Sequence, residues 1–594
     1  MPEHVFTTRP ELRGDFGMVA STHWLATASG MAVLERGGNA ADAAAAAGFV
    51  LQVVEPHLNG PGGEVPVLHY GAADDRVDVV CGQGVAPGAA TIDRVRDIGV
   101  EEIPGSGFLP ACVPGAFGGW LRLLERFGTW RLPDLLAFAI GYARDGYVMV
   151  PGIADAVAGV EQLFRQDWPS SAEVYLGGGV PTPGERFRNP DLAATYERVL
   201  KEVATAGGRE AEIEAGRRCW YEGFVAEAVD GFFRGSTPAG LGGEPQPGLL
   251  RGDDMARWRA TVEEPKQFEY KGWRVHKTGP WGQGPVFLQQ LALLDGYDLE
   301  RLDPIGPDFI HLVTESAKLA MADRDAWYGD PAFSPDLISE LLDPEYARER
   351  RGLIGERASV ELRPGSPGGR TPRLPRIGVA TPGVAGEPTM AEPTAETRGR
   401  GDTCHLDVVD RWGNMVSATP SGGWLQSSPV VPGLGFCMGS RLQMVQLEEG
   451  LPSSLAPGKR PRTTLTPSLA VRGRGDGIAF GTPGGDQQDQ WTLTFFVRMA
   501  ALGWNLQRLI DTPMFHTASM RNSFYPHEFE PGRLVVEERV GAATIEELRR
   551  RGHDVVVQAP WSLGRISAAG RDAASGMLRA AANPRGMLGY AAGR

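Results

Sequence analysis

Thr403 opens the strand-like run CHLDVVD directly behind Arg398-Gly399-Arg400-Gly401-Asp402. A threonine hydroxyl is a weak nucleophile and needs an adjacent base. A threonine that begins a chain carries one in its own α-amine, which titrates near ~7.7 to 8.0 and is partly neutral at physiological pH. Thr403 is internal, so this chemistry requires a cut between Asp402 and Thr403. A second requirement is met further on. The loop Gly481-Thr482-Pro483-Gly484-Gly485 offers two consecutive glycine N–H groups that can approach a developing oxyanion, each donor contributing about 3 kcal/mol. Each feature alone also has a plain structural meaning, as a strand start and as a glycine turn. Cys404 and His405 keep a thiol nucleophile open as an alternative, although period-two alternation turns Cys404 away from the face that carries Thr403.

The elements around these residues are legible in outline. From Trp24 an Ala/Leu-rich helix is predicted, with a stop at Gly37-Gly38, Asn39 as N-cap and a second helix behind it. NGPGGEVPVLHY reads as a glycine loop entering a strand, and RVDVVCGQGV as another strand; the glycines serve turn geometry or face a substrate. PDFIHLVTESAKLAMADRDAWYGDP carries a helical apolar stripe, with its charges assigned to a solvated face. A tract from about 356 to 402, rich in Pro and Gly and free of aromatics, cannot bury enough apolar surface to fold alone and reads as a flexible linker. Behind it, two short strands flank Trp412-Gly413-Asn414. A second hairpin turns at Gly473 to Gly477, and a helix starts near Gln488.

At 594 residues the chain must form two large units or one big layered core. With 42% hydrophobic and 22% charged residues it is neither disordered nor membrane-like, and no apolar run reaches spanning length. The formal charge of −14 gives no electrostatic reason to bind nucleic acid or an anionic membrane. The five cysteines are scattered without metal-like spacing, and the N-terminal stretch lacks the apolar core of a secretory signal, so a cytoplasmic protein is expected.

Several stretches together, among them MVASTHWLATASGMAVLERGGNAADAAAAA, VVEPHLNGPGG, GDTCHLDVVDRWGNMVSATP, LAPGKRPRTTLTPSLA and FGTPGGDQQDQ, make a pattern over nearly the whole chain. It resembles the gamma-glutamyltranspeptidase family of N-terminal nucleophile hydrolases. The resemblance implies an α+β fold, a four-layer αββα sandwich made as a self-cleaving precursor. Residues 1–402 would form the large subunit, with a flexible tail over about 356–402, and residues 403–594 the small one, the two interlocked in one fold. Thr403 matches the nucleophile. Thr419 matches a threonine that hydrogen-bonds it and assists processing, Thr463 and Thr464 a hydroxyl pair that contacts the substrate, and Gly484 and Gly485 the oxyanion glycines. Ser421 is grouped with the substrate-binding residues, and His405 is expected to be a buried structural histidine. No metal or organic cofactor is implied.

The resemblance has gaps. The family's glutamyl-binding arginine falls on Ile92, its amine-binding acidic run on FCMGSRLQMVQ, a substrate asparagine on Gly423, and the threonine after the nucleophile on Cys404. Arg441 is the substitute candidate for a substrate carboxylate, against a reading as a surface or interface residue. The expectation is an amidohydrolase or acyltransferase acting on a small amide that is not a standard γ-glutamyl compound. A true γ-glutamyl hydrolase and a non-catalytic binding scaffold are the alternatives. Homo-oligomerisation stays open.

Overall fold

A computed structural model describes residues 6–241, 244–378 and 403–594. The alanine-rich start folds as read, with helices Trp24–Glu35 and Ala40–Val54. Asn39 Oδ1 accepts from the Asp42 N–H and Asp42 Oδ2 from the Asn39 N–H, both at 3.0 Å, a reciprocal cap that contributes about 1 kcal/mol. Asp42 also receives the N–H groups of Thr129 and Trp130, so one buried carboxylate ties this helix to the next pair. Every residue of Ala40–Val54 is buried, a position that its small side chains fit.

Two seven-stranded sheets hold the centre. One runs, in spatial order, Tyr590–Gly593, Gly17–Ser21, Leu406–Asp410, Met415–Ala418, Val65–Gly71, Arg76–Gly82 and Thr261–Glu263. The other runs Leu12–Gly14, Leu578–Ala582, Ser567–Arg571, Asp476–Gly481, Ser468–Arg472, Trp273–Lys277 and Lys266–Tyr270. Leu406–Asp410 faces Ser567–Arg571 across the gap, which Met18, Leu68, Val409, Leu469, Ala479 and Ala569 fill. The two N-terminal helices and Ala116–Phe127 cover the first sheet. Pro285–Leu294 and Gln488–Leu502 cover the second, with Pro307–Trp327 packed on the former. The layers are helix, sheet, sheet, helix, the αββα sandwich expected. Strands from either side of position 403 are interleaved: Gly17–Ser21 lies between Tyr590–Gly593 and Leu406–Asp410, and Leu12–Gly14 pairs with Leu578–Ala582.

Two expectations need correction. On Pro307–Trp327 the residues Glu315, Lys318, Asp323, Arg324 and Asp325 are buried and do not form a solvated face. They are paired: Lys318 Nζ lies 2.7 Å from Glu315 Oε1, Arg350 Nη2 3.2 Å from Asp323 Oδ1, and Arg324 Nη2 2.9 Å from Asp325 Oδ1. The Pro/Gly-rich tract is also not a free linker over 356–378. Arg363 Nη2 reaches Glu315 Oε2 at 3.0 Å, the Gly365 N–H donates to Asp323 Oδ1 at 2.6 Å, and Trp327 Nε1 donates to the Gly365 carbonyl at 3.0 Å. The tract borrows the buried carboxylates of a neighbouring helix in place of an apolar core, a source of order that composition does not display. The remainder of the expected tail, 379–402, and with it Asp402, lies outside the described residues. No described helix is long and apolar enough to cross a membrane, and the five cysteines are unpaired.

Candidate active site

Backbone segments converge where Leu406–Asp410 begins. Thr403 and Glu64 both bridge to Ser421, Asn59 bridges to Gly422, and Gly62 to Met438. The approach is too close for side chains: a Cβ on Gly63 would stand 2.1 Å from the Ser421 carbonyl oxygen, and one on Gly423 2.7 Å from the Gly63 nitrogen. Gly423 also has φ +65°, so this position, where the resemblance would place an asparagine, is fitted to glycine. The glycines of NGPGG therefore serve backbone packing around the threonine.

Strand alternation sorts the residues behind Thr403. Cys404, Leu406 and Val408 belong to the helix-facing core, whereas Val409 lies in the gap between the sheets. Thr403 Oγ1 donates to the Gly484 carbonyl at 3.4 Å and lies 3.3 Å from Ser421 Oγ. Cys404 Sγ donates to Glu55 Oε2 at 3.0 Å and receives Asn59 Nδ2 at 3.1 Å. Burial and the Glu55 carboxylate push its thiol well above the ordinary 9.0, so the group stays protonated and the thiol-nucleophile alternative loses its basis.

His405 is fully buried between Thr419 Oγ1, 2.9 Å from its Nδ1, and Asp407 Oδ1, 2.9 Å from its Nε2. Ser567 Oγ donates to the other Asp407 oxygen at 2.9 Å. The bond expected from Thr419 to the Thr403 hydroxyl is thus made to His405, in a relay that crosses from one sheet to the other. His405 holds Thr419 in place, as a buried structural histidine would.

The glycine loop joins strand Asp476–Gly481 to helix Gln488–Leu502. Gly484 has φ +124°, which glycine supplies without strain, and its carbonyl faces Thr403 while also receiving Gln488 Nε2. The Gly485 N–H donates to Gln487 Oε1 at 3.2 Å, so an oxyanion would displace that side chain to use it. Next in sequence, Asp486 anchors the loop. It accepts from the Ser523 N–H at 2.8 Å, from Ser523 Oγ at 2.6 Å and from Arg324 Nη1. Burial works against its charge, yet Arg324, Ser523 and Arg462 hold it below the usual carboxylate range. Burial and the neighbouring Arg324 push Arg462 down to about 9.

Thr463 and Thr464 are both buried. The Thr463 N–H donates to the Trp281 carbonyl at 2.9 Å, its hydroxyl receives the Leu465 N–H at 3.3 Å, and Thr464 Oγ1 makes no hydrogen bond among the described residues. A lysine fully enclosed by the fold secures this stretch to the glycine loop's helix: Lys277 Nζ lies 2.9 Å from Asp489 Oδ1, which also accepts from Thr466 Oγ1 at 2.9 Å.

Arg441 is 3% exposed, which disposes of its reading as a surface residue. It starts the short turn Arg441–Met444, donates from Nε to Glu64 Oε1 at 2.6 Å and from Nη2 to Ser421 Oγ at 3.5 Å, and lies over the Phe524 ring at 5.8 Å. The Ser421 hydroxyl lies 3.5 Å from this guanidinium and 3.3 Å from Thr403 Oγ1. Ile92 instead sits in a small apolar cluster with Ala90, Val95, Leu442 and Leu455. Residue reasoning missed Glu64, Asp407, Arg324 and Asp486. A lone acid between a glycine pair and an apolar strand was the available sign for Glu64; Arg324 and Asp486 carried none, because they are 162 positions apart.

Known proteins agree with this architecture. The gamma-glutamyltranspeptidase family model matches residues 26–593. The chain is 30% identical over 557 residues to the acylase ACY 1 proenzyme of Pseudomonas sp. (strain V22), covering 91% of this chain and 88% of the relative. It is also 30% identical over 581 residues to the oxamate amidohydrolase proenzyme of Klebsiella pneumoniae, covering 96% and 97%. Among solved structures, LmbA2991HD superposes with a TM-score of 0.93 at 55% identity over 99% of this chain and 100% of that one. A cephalosporin acylase from Bacillus halodurans superposes with a TM-score of 0.81 at 27% identity, over 100% and 98%. With a family match over almost its whole length and the αββα sandwich in place, the chain belongs to the gamma-glutamyltranspeptidase family of N-terminal nucleophile amidohydrolases.

Proposed function

We propose that the protein cuts itself between Asp402 and Thr403 and then hydrolyses a short-chain, anionic acyl amide through an acyl-Thr403 intermediate. Thr403 Oγ attacks the amide carbonyl, its newly freed α-amine takes the proton and passes it to the leaving amine, and water resolves the ester. The Gly484-Gly485 loop would receive the oxyanion.

The observation that carries this reading is the Arg441–Ser421–Thr403 sequence of contacts at 3.5 and 3.3 Å. An acyl carbon on Thr403 and a carboxylate on Arg441 can be no further apart than a short chain spans. Charge-assisted bonds from a guanidinium are among the stronger specificity contacts. The apolar packing of Ile92 removes the other cation that a γ-glutamyl substrate would be expected to meet. The acylase and oxamate amidohydrolase names of the relatives support non-glutamyl amides.

The test is a panel of amides that share a leaving group, with oxalyl, succinyl, acetyl and γ-glutamyl acyl parts, run alongside intact-subunit masses. Two fragments, the smaller beginning at Thr403, are expected from the wild type, and an uncut chain from Thr403→Ala. Arg441→Ala should lower the preference for anionic over neutral acyl groups by about 30-fold or more, in line with ~2 kcal/mol or more for losing one partner of a buried charge pair. An unchanged ratio would remove Arg441 from acyl recognition, and efficient turnover of γ-glutamyl amides alone would refute the substrate class.

A further inference from the structure

A cavity of about 990 Å³ opens beside the Thr403 edge of the sandwich, far larger than a short acyl chain fills. We propose that this cavity holds the amine half of the substrate and that this half is a bulky, mainly apolar amine. The inference rests on the amidohydrolase reading and specifies its leaving group.

Position is the first argument. Pro483 lines the cavity and precedes Gly484, whose carbonyl meets Thr403 Oγ1. Thr22, at the end of strand Gly17–Ser21, forms part of the wall. In the sheet, Gly17–Ser21 flanks Leu406–Asp410 on one side and Met415–Ala418, which leads to Ser421 and Arg441, flanks it on the other. An amide whose acyl end points to Arg441 therefore directs its amine end towards this cavity.

The lining gives the chemistry. Trp24, Leu58, Val150 and Trp561 supply apolar wall, and Val148 and Val557 at its mouth are 51% and 40% exposed. Polar side chains such as Gln558 and Ser562 stand among them. Glu55, 1% exposed, also lines the cavity, and burial raises its carboxyl from the ordinary value. Trp561 adds an independent sign. It holds φ +63°, a costly conformation for a bulky side chain, and its ring is clamped by Arg539 at 3.5 Å and Arg585 at 5.4 Å. Such backbone strain persists where the surroundings fix a side chain for a purpose, here a flat aromatic wall.

The experiment pairs two substrates with one acyl group, the primary amide and the 2-naphthylamide, and measures direct binding of 2-naphthylamine by fluorescence. Ala559→Trp, which fills the cavity from its rim, should lower the naphthylamide-to-primary-amide ratio of kcat/KM by about tenfold and weaken 2-naphthylamine binding by a similar factor. Val148→Trp, at an exposed position, repeats the test should the first variant fail to fold. An unchanged ratio together with unchanged 2-naphthylamine affinity overturns the proposal. Failure to hydrolyse either amide, with 2-naphthylamine still bound and displaced by Ala559→Trp, overturns the amidohydrolase reading and keeps the cavity as an amine site.

Discussion

Asp486→Ala tests whether a buried ion network positions the catalytic loop. The substitution removes the acceptor of the Ser523 N–H and hydroxyl, at 2.8 and 2.6 Å, and one of the two carboxylates around Arg324. Arg324 is fully buried and Arg462 is 5% exposed, so both are left to Asp325, at 2.9 and 3.5 Å. Breaking a buried pair in this way costs about 3–5 kcal/mol. Spread over the unfolding entropy of a chain this long, that is a Tm loss of about 2–4 °C. Freed from its anchor, the loop would no longer fix the position of the Gly485 N–H, the donor that Gln487 must release to an oxyanion, and kcat should fall by about 10²–10³. Asp486→Asn keeps an acceptor for Ser523 and should lose less on both counts. Because the folded pKa of Asp486 lies below its ordinary 3.8, its contribution is complete above that value and fades only as pH falls through the folded pKa. The difference in Tm between wild type and Asp486→Ala should therefore be constant from about pH 5 to 8. Differential scanning fluorimetry and initial rates at saturating amide give both numbers. An Asp486→Ala protein that melts within about 1 °C of wild type and keeps kcat within about threefold would refute the idea that this network holds the loop.

Three further outcomes are expected. Cys404→Ala should keep hydrolysis within about threefold while costing about 1–2 kcal/mol of stability from its lost bonds to Glu55 and Asn59; loss of all turnover would restore the thiol as nucleophile. Gly63→Ala places a Cβ 2.1 Å from the Ser421 carbonyl oxygen and should cost about 3 kcal/mol or more, visible as low soluble yield or a depressed Tm, and a wild-type Tm would contradict the packing described. Burial pushes His23, His57 and His69 each down to about 3, so they stay neutral in the fold but charge near 6.5 when unfolded. Their stability contribution is full above about pH 6.5 and falls by about 1.4 kcal/mol per histidine per pH unit below it, so Tm should drop measurably between pH 6.5 and 5; a flat profile would count against it.

What could be read from the sequence was local. Asn39 announced its cap three residues before Asp42, Trp412-Gly413-Asn414 marked a hairpin, and alternation placed Cys404 opposite Thr403, because each of these signals is complete within a few residues. The misjudged parts depend on partners far along the chain. Arg441 read as surface-compatible because Glu64 lies 377 positions away. The charges of Pro307–Trp327 looked solvated because Arg350, Arg363 and Asp486 come from other segments. Residues 356–378 looked unable to fold because their anchors are hydrogen bonds to Glu315 and Asp323, which composition does not count. Thr419 was placed near the nucleophile by resemblance, but its partner, His405, follows only from the register of Leu406–Asp410 against Met415–Ala418.

The interleaving of strands from before and after position 403 bears on how the mature protein comes to exist. Gly17–Ser21 pairs on both edges with strands from after position 403, Leu406–Asp410 and Tyr590–Gly593, so neither piece of a cut chain has a complete sheet of its own. For the cut proposed between Asp402 and Thr403, folding must then come first and scission second. While the chain is whole, refolding is a unimolecular event; once the bond is gone, reassembly needs two partners to find each other and thread seven-stranded sheets together at a rate set by their concentration. Scission would thus act as a ratchet, turning a structure that could be reached reversibly into one whose persistence depends on how slowly it comes apart.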